Sequence, residues 1–254
     1  MALCHINFFG ASIGQMSSMN VIVPEGVKGP YATFYLLHGL SDDHTAWQRR
    51  TSIERYVEGL PLVVVMPSTA RGWYSNVEVW PVLRYEDHIM KDVIGFVEST
   101  FPVKRERKAR AIGGLSMGGF GAVKLGLKHH DMFCSVNSHS GALERLDRRA
   151  ADKKSPLDDA FMREVFGVLG QSLQNTDNDL DFLAEKCPKN RRPELLIDCG
   201  REDFLLAANR GYHKFLQSIK YTHTYREFPG NHNWQFWDTH VQEALAFHRK
   251  NLGI

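Results

Sequence analysis

One short segment of the sequence has the composition of a reactive turn. Residues 114–118 read Gly-Leu-Ser-Met-Gly, between a buried apolar stretch and a helix-like one. A serine at such a strand-to-helix turn is held in a strained backbone conformation with its hydroxyl projecting from the sheet edge, and a Cβ on either flanking glycine would collide with its surroundings. A phosphate-binding loop or a plain turn is the rival interpretation, but neither Gly-Lys-Ser/Thr nor Gly-x-Gly-x-x-Gly accompanies the segment. We therefore predict that Ser116 is a nucleophile.

A serine nucleophile requires a base, and the base requires an acid that orients it. A hydroxyl is unreactive until an imidazole takes its proton. In a chain with this kind of turn, the acid and then the histidine follow the serine, each after a later strand. Asp203 follows an apolar stretch over 195–199, and His232 follows another over 222–228. We predict Asp203 as the acid, with the adjacent Glu202 as the alternative, and His232 as the base.

Negative charge that develops on a substrate oxygen also needs hydrogen-bond donors. Removing one such donor typically lowers the rate by about 10²–10³. One donor is expected to be the backbone N–H of Met117, directly after the serine. The second is expected from the loop after the early apolar stretch, where Leu40 N–H is the best candidate and Gly39 lets the backbone approach the site.

The sequence contains 12 histidines, which raises the question of a metal site. None of them has the His-Glu-x-x-His or comparable context of a zinc ligand, so we expect no metal and no other cofactor. His38 ends an apolar stretch and is expected to brace a loop. Three others, His44, His88 and His139, are candidates for the wall of a cleft. Five lie on helix-like segments and are expected to be solvated: His129, His130, His213, His240 and His248.

Strand-like and helix-like stretches alternate along the chain and predict the elements that position these residues. Segments 31–37 and 62–66 lack polar alternation, as strands buried on both faces do. Apolar residues recur at three- and four-residue steps over 85–100, which predicts an amphipathic helix. Further strands are predicted at 5–9, 19–23, 110–115, 134–138, 195–199 and 222–228, and further helices at 47–58, 119–129, 204–219 and 234–250. The pattern indicates an α/β fold with a mostly parallel central sheet and helices on both faces.

The stretch 142–192 interrupts this alternation. It is rich in charged residues and carries two short apolar segments, around 161–169 and 180–183. About 50 residues is marginal for a separate core. We therefore predict a cap-like helical insertion within a single domain spanning 1–254.

The sequence gives weaker signals for residues that contact the substrate than for the nucleophile, the acid and the base. Trp73 and Trp80 lie in a long segment after the strand that ends at residue 66, where loops form the rim of a cleft. They are suited to hold an aromatic or sugar ring, although packing of the loop explains them equally well. His139 and Trp234 are the other candidate contacts. The polar insertion gives no indication of a tunnel for long-chain lipids.

The overall composition is that of an ordinary globular protein. The chain has 254 residues, 43% hydrophobic and 24% charged, with a net charge of +2. This balance gives no reason to expect nucleic acid or an anionic membrane as a partner. No apolar run approaches the roughly 20 residues of a membrane span, and the first residues lack a signal-peptide pattern. We expect a cytoplasmic protein whose four cysteines are reduced and mostly buried.

Four ordered motifs resemble those of the esterase family related to esterase D. They are Tyr-Leu-Leu-His-Gly-Leu at 35–40, Gly-Leu-Ser-Met-Gly-Gly at 114–119, Gly-x-x-Asp-Phe at 200–204 and Gly-Asn-His-Asn-Trp at 230–234. The resemblance covers nearly the whole chain and is closest to the tributyrin-esterase-like, acetyl esterase branch. It implies one α/β-hydrolase domain with a small insertion, acting on short-chain acyl esters. It also implies a catalytic triad of Ser116, Asp203 and His232, with Leu40 and Met117 as the oxyanion donors.

Other enzymes on this scaffold define the alternatives. S-formylglutathione hydrolases usually carry a Tyr-Asp-His-Ser-Tyr-Tyr type of segment around the histidine, whereas this chain has Asn-His-Asn-Trp at 231–234, which counts against the thioesterase. Feruloyl and acetyl-xylan esterases and mycolyl transferases share Gly-x-His-x-Trp and stay open. A catalytically silent binding module is the least favoured alternative, because the serine, acid and histidine are all present in order. The expected partner is a small-molecule ester, and a homo-oligomer is compatible with the sequence.

Overall fold

The structure is a computed structural model that describes residues 1–77, 80–143, 165–166 and 173–254. These residues form an eight-stranded sheet with the strand order β1-β2-β4-β3-β5-β6-β7-β8. The strands are β1 (Ala2–Gly10), β2 (Gln15–Val23), β3 (Ala32–Leu37), β4 (Leu62–Pro67), β5 (Arg110–Leu115), β6 (Ser135–His139), β7 (Glu194–Gly200) and β8 (Thr224–Phe228).

The sheet is mostly parallel, as the sequence predicts. β1 and β2 form an antiparallel hairpin, and β2 pairs antiparallel with β4. Every neighbouring pair from β4 to β8 is parallel. The carboxyl ends of parallel strands share one edge of the sheet, so the loops after β3, β5, β7 and β8 meet there.

Helices pack on the sheet from both sides. They are α1 (Ala46–Arg50), α2 (Ile53–Tyr56), α3 (Tyr85–Asp87), α4 (Ile94–Thr100), α5 (Met117–Lys128), α6 (Leu180–Lys186), α7 (Leu206–Ser218) and α8 (Trp234–Leu252). A π-helical segment, His88–Val93, joins α3 to α4, so the predicted helix over 85–100 contains one wider turn. Among the described residues, no helix combines the length and the apolar character needed to cross a membrane.

The hydrophobic core is divided between the two faces of the sheet. In β3, Tyr35 packs in the cluster that contains Phe120 of α5, whereas Phe34 packs in the cluster that contains Val241 of α8. All of these side chains are buried. Burying each large apolar side chain contributes about 1.5–3 kcal/mol, so alternation along β3 fixes α5 and α8 on opposite faces.

The predicted helix over 47–58 is wrong as a single element. The chain forms α1 and α2 instead, because Thr51 between them is extended (φ −134°, ψ 172°). The break is stabilised from outside the segment, since Ser52 N–H donates to the Asp238 carboxylate at 2.8 Å. The other predicted elements agree with the structure to within a few residues, with β1 and β2 longer than expected.

The predicted insertion over 142–192 is described only in part. Residues 173–192 contain α6 and a short 3-10 turn, Lys189–Arg191. Phe166 is buried against the main core, where its ring lies 5.9 Å from that of Trp73. Residues 144–164 and 167–172, with most of the first apolar segment, lie outside the described residues, so the helical cap stays a prediction.

Candidate active site

Ser116 occupies the turn between β5 and α5. Its backbone has a positive φ of 52°, with ψ −115°, and the residue is partly exposed at the carboxyl edge of the sheet. Such a conformation costs a non-glycine residue about 1–3 kcal/mol and persists only where the surroundings hold it. Here Ser116 N–H donates to His139 O at 2.9 Å, and Ser116 O accepts from Ala142 N–H at 3.1 Å.

The glycines two residues before and after Ser116 allow the close packing of this turn. A Cβ on Gly114 would lie 2.7 Å from the backbone of Gly118, and one on Gly118 would lie 2.6 Å from the carbonyl oxygens of Leu37 and His38. Real Cβ atoms do not approach backbone so closely. The steric reason that the sequence gives for the two glycines is confirmed.

His232 and Asp203 converge on Ser116 from the loops after β8 and β7. His232 Nε2 lies 3.0 Å from Ser116 Oγ, and His232 Nδ1 lies 2.9 Å from Asp203 Oδ2. The ionised carboxylate accepts a hydrogen bond from the Nδ1–H group. The other ring nitrogen, Nε2, then carries no proton and accepts a hydrogen bond from the serine hydroxyl. The geometry is that of a base hydrogen-bonded to a nucleophile and oriented by an acid.

The surroundings of Asp203 favour the ionised form of its carboxyl group. Its side chain is fully buried, and Oδ1 accepts the Leu205 N–H at 2.8 Å. Burial works to raise the pKa of Asp203, but the hydrogen bond and charge of His232 outweigh it and hold that pKa below the usual value. His232 itself is 17% exposed at its side chain and is accessible from the cavity.

The alternative acid, Glu202, lies elsewhere. Its side chain is exposed and accepts the Gly230 N–H at 2.5 Å, so it supports the loop before His232 and not the imidazole. Asn233 helps to end the same loop, since its side chain accepts the Phe236 N–H at 3.0 Å and caps α8. Of the two candidate acids, Asp203 is therefore the one brought to His232.

The two candidate donors, Leu40 N–H and Met117 N–H, belong to the loop after β3 and to the start of α5. Met117 is fully buried and is not among the residues that line the cavity in front of Ser116. Met117 is the first residue of α5, where backbone N–H groups lack helical partners. Leu40 lines the cavity that Ser116 also lines. Within the described residues, neither N–H group has a hydrogen-bond acceptor. Both stay candidates for donation to a substrate oxygen.

His38 fixes the direction of the Leu40 N–H. His38 Nδ1 donates to Gly39 O at 2.7 Å, while His38 Nε2 accepts the Thr69 N–H at 3.1 Å. A trans peptide is planar with its C=O and N–H on opposite sides, so holding Gly39 O also aims the Leu40 N–H. Burial lowers the pKa of His38 to about 4, which keeps the ring in this neutral form. The expected loop-bracing role of His38 is confirmed, and Tyr74 adds to it by donating its hydroxyl to His38 O at 2.9 Å.

The described residues enclose a cavity of about 510 Å³ in front of Ser116. Trp73 and Trp234 line it, as two of the predicted substrate contacts should. Trp80 is 56% exposed and does not line it. The lining residues are Gly39, Leu40, Ser41, Asp42, Arg50, Trp73, Leu115, Ser116, Ala142, Phe204, Leu205, His232, Asn233, Trp234 and Trp237.

His139 is the other predicted contact that the structure places away from this cavity. It is completely buried, and its Nδ1 lies 2.8 Å from both carboxylate oxygens of Asp198, which is also completely buried. Its side chain therefore lies within the fold, while its backbone holds Ser116. The prediction that His139 contacts the substrate was based on its position in the sequence and is wrong. His139 ends β6 beside the turn at Ser116, but its side chain points into the core.

Several other histidines are more buried than expected. His248, predicted to be solvated, is fully buried between Ser135 Oγ (2.7 Å) and Asn137 Oδ1 (2.8 Å). His240 is only 8% exposed. His88, a candidate for the cleft wall, is also fully buried and belongs to a second serine–histidine–aspartate chain, with Ser17 and Asp92.

Two aromatic residues of the cavity were missed by the sequence analysis. Phe204 directly follows the acid, and its ring centroid lies 4.6 Å from that of His232. Trp237 lies on the first turn of α8, with its ring 4.9 Å from His232 and perpendicular to it. The proximity of Phe204 to Asp203 in the sequence was a usable signal, whereas Trp237 reads like any other core residue of an amphipathic helix.

Comparisons with known proteins identify the family of the chain. The model of the family described as "Putative esterase" matches residues 10–248. An acetyl esterase of Caldicellulosiruptor saccharolyticus is 29% identical, over 98% of this chain and 99% of its own length.

Two solved structures from Staphylococcus aureus are similar over almost their full length. The fluorophosphonate-binding serine hydrolase F is 31% identical, with a TM-score of 0.88 over 97% of this chain and 98% of that one. An S-formylglutathione hydrolase is 29% identical, with a TM-score of 0.84 over 98% and 99% of the two chains. With its mostly parallel sheet and helices on both faces, the chain belongs to the Putative esterase family and is a carboxylic ester hydrolase of the α/β-hydrolase fold.

Proposed function

We propose that the chain hydrolyses short-chain acyl esters through an acyl-enzyme, with Ser116, His232 and Asp203 as its triad. The observation that carries the proposal is the hydrogen-bonded chain from Ser116 Oγ through His232 to Asp203, with distances of 3.0 and 2.9 Å, opening on a cavity. Membership of an esterase family supports it.

In the first half-reaction, His232 Nε2 takes the proton of Ser116 Oγ as the oxygen attacks the ester carbonyl carbon. The carbonyl oxygen becomes an oxyanion, which accepts hydrogen bonds from Leu40 N–H and Met117 N–H. Asp203 stabilises the imidazolium that forms. The C–O bond to the alcohol then breaks, and the alcohol leaves with the proton from His232.

In the second half-reaction, water takes the place of the alcohol. His232 removes a proton from the water as it attacks the acyl carbon, and the same two N–H groups hold the new oxyanion. Collapse of this intermediate breaks the bond to Ser116 Oγ, which regains its proton from His232. The acid is released and the enzyme returns to its starting state.

The preference for short acyl groups is supported by Trp73. This residue is 1% exposed, yet it lines the cavity. Its indole packs edge-on against Phe120 and Phe166, at 5.5 and 5.9 Å between ring centroids. A ring fixed in this way limits the depth of the cavity. Ala142, the first residue of the proposed insertion, adds to the same lining and supports a role for 142–192 in the acyl pocket.

Thioester hydrolysis is the second candidate, because a relative of 29% identity over 98% of the chain is an S-formylglutathione hydrolase. The same triad and donors suit a thioester, since the acyl-enzyme is identical and only the leaving group differs. The sequence around His232 differs from the usual pattern of those enzymes, which favours oxygen esters.

Replacing Ser116 tests the proposal, and the second serine of this kind provides a matched control. We expect Ser116→Ala to lower hydrolysis of p-nitrophenyl butyrate by about 10⁵–10⁶-fold and to abolish labelling by a fluorophosphonate probe. Ser17→Ala removes a serine that is also hydrogen-bonded to a histidine, and it should leave both readouts intact. Undiminished turnover in folded Ser116→Ala protein would overturn the assignment.

A panel of substrates tests the chain-length and leaving-group parts. We expect kcat/KM for p-nitrophenyl esters to be highest for acetyl to butyryl groups and to fall steadily towards decanoyl. Comparison with S-formylglutathione, methyl ferulate and acetylated xylan then distinguishes the alternatives. A clear preference for any of these three over the short-chain esters would replace the proposed substrate class.

A further inference from the structure

Phe204 exposes a large apolar side chain at the edge of the cavity. It is 63% exposed although it directly follows the buried Asp203. A single exposed phenylalanine needs no explanation in itself. This one, however, lines the cavity of Ser116, and its ring centroid lies 4.6 Å from the His232 ring at an interplanar angle of 52°.

Two further aromatic rings complete this side of the cavity. The Trp237 ring stands perpendicular to His232 with 4.9 Å between centroids, and the Trp234 ring stands perpendicular to Trp237 at 5.3 Å. Trp234 also contacts the fully buried Trp47 edge-on at 5.2 Å. We call Phe204, Trp234 and Trp237 the aromatic rim. Trp234 and Trp237 each pack against neighbouring rings, which hold these two members of the aromatic rim in position.

The mechanism determines which part of a substrate meets the aromatic rim. His232 Nε2 must deliver a proton to the departing oxygen, so the alcohol lies within hydrogen-bond reach of that nitrogen. The rings of Phe204 and Trp237 both lie beside His232. Trp73 packs against a different set, Phe120 and Phe166. We therefore expect the aromatic rim to lie beside the alcohol part of a bound ester and Trp73 to lie beside its acyl part.

We propose that the aromatic rim selects esters whose alcohol carries a flat aromatic ring one carbon from the ester oxygen, such as benzyl esters of short acids. This inference rests on the proposed esterase function. A ring in this position can pack at 4.5–7 Å from the rim residues in tilted or edge-on arrangements, as the protein rings already do with one another. An aliphatic ring of similar size buries similar area but lacks these aromatic contacts.

The test compares benzyl acetate with cyclohexylmethyl acetate. The two esters share an acyl group, and their alcohols are similar in size and acidity. We expect wild-type kcat/KM to favour the benzyl ester by about 2- to 10-fold, the range of one aromatic contact. Phe204→Leu should bring the ratio towards one, mainly by raising KM for the benzyl ester. Phe9→Leu replaces a phenylalanine that is 61% exposed but outside the cavity lining, and it should leave the ratio unchanged.

Three outcomes would overturn the inference, each in a distinguishable way. Equal turnover of both acetates by the wild type would show that the alcohol ring is not recognised. An unchanged ratio in Phe204→Leu would remove the rim from recognition. If Phe204→Leu instead alters the ratio for methyl phenylacetate over methyl cyclohexylacetate, the ring belongs to the acyl side. The absence of turnover of any ester, together with no fluorophosphonate labelling of Ser116, would overturn the proposed function itself.

Discussion

The described part of the protein contains two serine–histidine–aspartate hydrogen-bond chains with almost the same bond lengths. In one, His232 lies 3.0 Å from Ser116 Oγ and 2.9 Å from Asp203 Oδ2. In the other, His88 lies 3.0 Å from Ser17 Oγ and 2.9 Å from Asp92 Oδ2. In both, Nδ1 faces the carboxylate and Nε2 faces the serine. The bond lengths alone therefore do not distinguish a reactive serine from a structural one.

The surroundings of the two chains are entirely different. Ser17 lies within strand β2 and is 9% exposed, and His88 is fully buried with its ring stacked on Phe8 at 5.6 Å. Asp92 also accepts the N–H of Ser12 at 2.9 Å. These hydrogen bonds connect β2 and the turn before it to the helical segment over 85–100. Ser116, in contrast, is partly exposed at a strained turn and lines a cavity, together with Leu40, one of the two candidate donors.

The comparison indicates what distinguishes the proposed triad of Ser116, His232 and Asp203 from the buried set. The distinguishing features are access to a cavity, a strained turn and nearby candidate donors for an oxyanion. A buried histidine bonded on both ring nitrogens satisfies polar groups and connects distant elements, which is a contribution to stability. Only where a substrate carbonyl can reach the serine, with donors ready for the oxyanion, does the same bonding pattern activate a nucleophile.

The largest contrast is expected from the two histidines. His232→Gln should lower kcat by about 10⁵-fold or more with little loss of stability, because the base is removed at a partly exposed position. His88→Gln should do the reverse, lowering the free energy of unfolding by about 1–3 kcal/mol while kcat per folded molecule stays at the wild-type value. Urea denaturation and steady-state kinetics on both variants measure the contrast. A large loss of kcat in folded His88→Gln protein would contradict it.

A smaller effect is expected where the donor is disturbed and the triad is left intact. His38→Leu removes the shorter of two hydrogen bonds to Gly39 O, the other coming from Asp42 N–H, so we expect kcat to fall by about 10- to 100-fold with KM little changed. His38→Asn retains a side-chain N–H near the position of Nδ1 and should recover part of the loss. Active-site titration with a fluorophosphonate gives the concentration of folded enzyme. Equal kcat in wild type and His38→Leu would show that the Leu40 peptide is held by other contacts.

A third effect concerns two buried histidines, His38 and His248, and appears as a pH dependence of stability. Burial lowers the pKa of His38 to about 4 and that of His248 to about 3, below the value near 6.5 of an unfolded chain. Between these values the unfolded chain binds more protons, so the free energy of unfolding must fall as the pH falls. The contribution is complete above pH 6.5 and is lost towards pH 4 and 3, at up to about 1.4 kcal/mol per pH unit for each group.

Urea denaturation at pH 7, 6 and 5 measures this slope. His248→Gln removes one of the titrating groups, so its slope should be shallower than that of the wild type even though its stability at pH 7 is lower. Stability that is constant or rises on acidification over this range would contradict the assignment of these rings as neutral in the folded state.

The fold and the candidate reactive residues were predictable because their signals are local. A strand buried on both faces, a glycine-flanked serine and a histidine before a helix each occupy fewer than ten consecutive residues. Ser116, Asp203 and His232 were named from such patterns together with the order of elements. The sequence favoured Asp203 over Glu202, and the structure shows that the Asp203 side chain is the one that faces His232.

The features that escaped prediction depend on residues distant in the sequence. Ser17 and His88 are separated by 71 positions, and Ser135 and His248 by 113. No periodicity encodes such partners, so buried histidines on helices looked like solvated ones. His139 was misplaced for a related reason, since its buried partner Asp198 lies on the neighbouring strand β7. The break between α1 and α2 likewise depends on Asp238, far along the chain.

Because the backbone of Ser116 has a positive φ, the proposed reactivity of this residue depends on its neighbours. The turn is maintained by contacts from outside, including the carbonyl of His139, the N–H of Ala142 and the space left by Gly114 and Gly118. If these contacts weaken, the chain can relax at the turn without unfolding, and the hydroxyl then leaves its alignment with His232. Inactivation by heat or denaturant can therefore precede the loss of the fold. Substitutions at positions that never touch a substrate can abolish activity in a protein that still appears native.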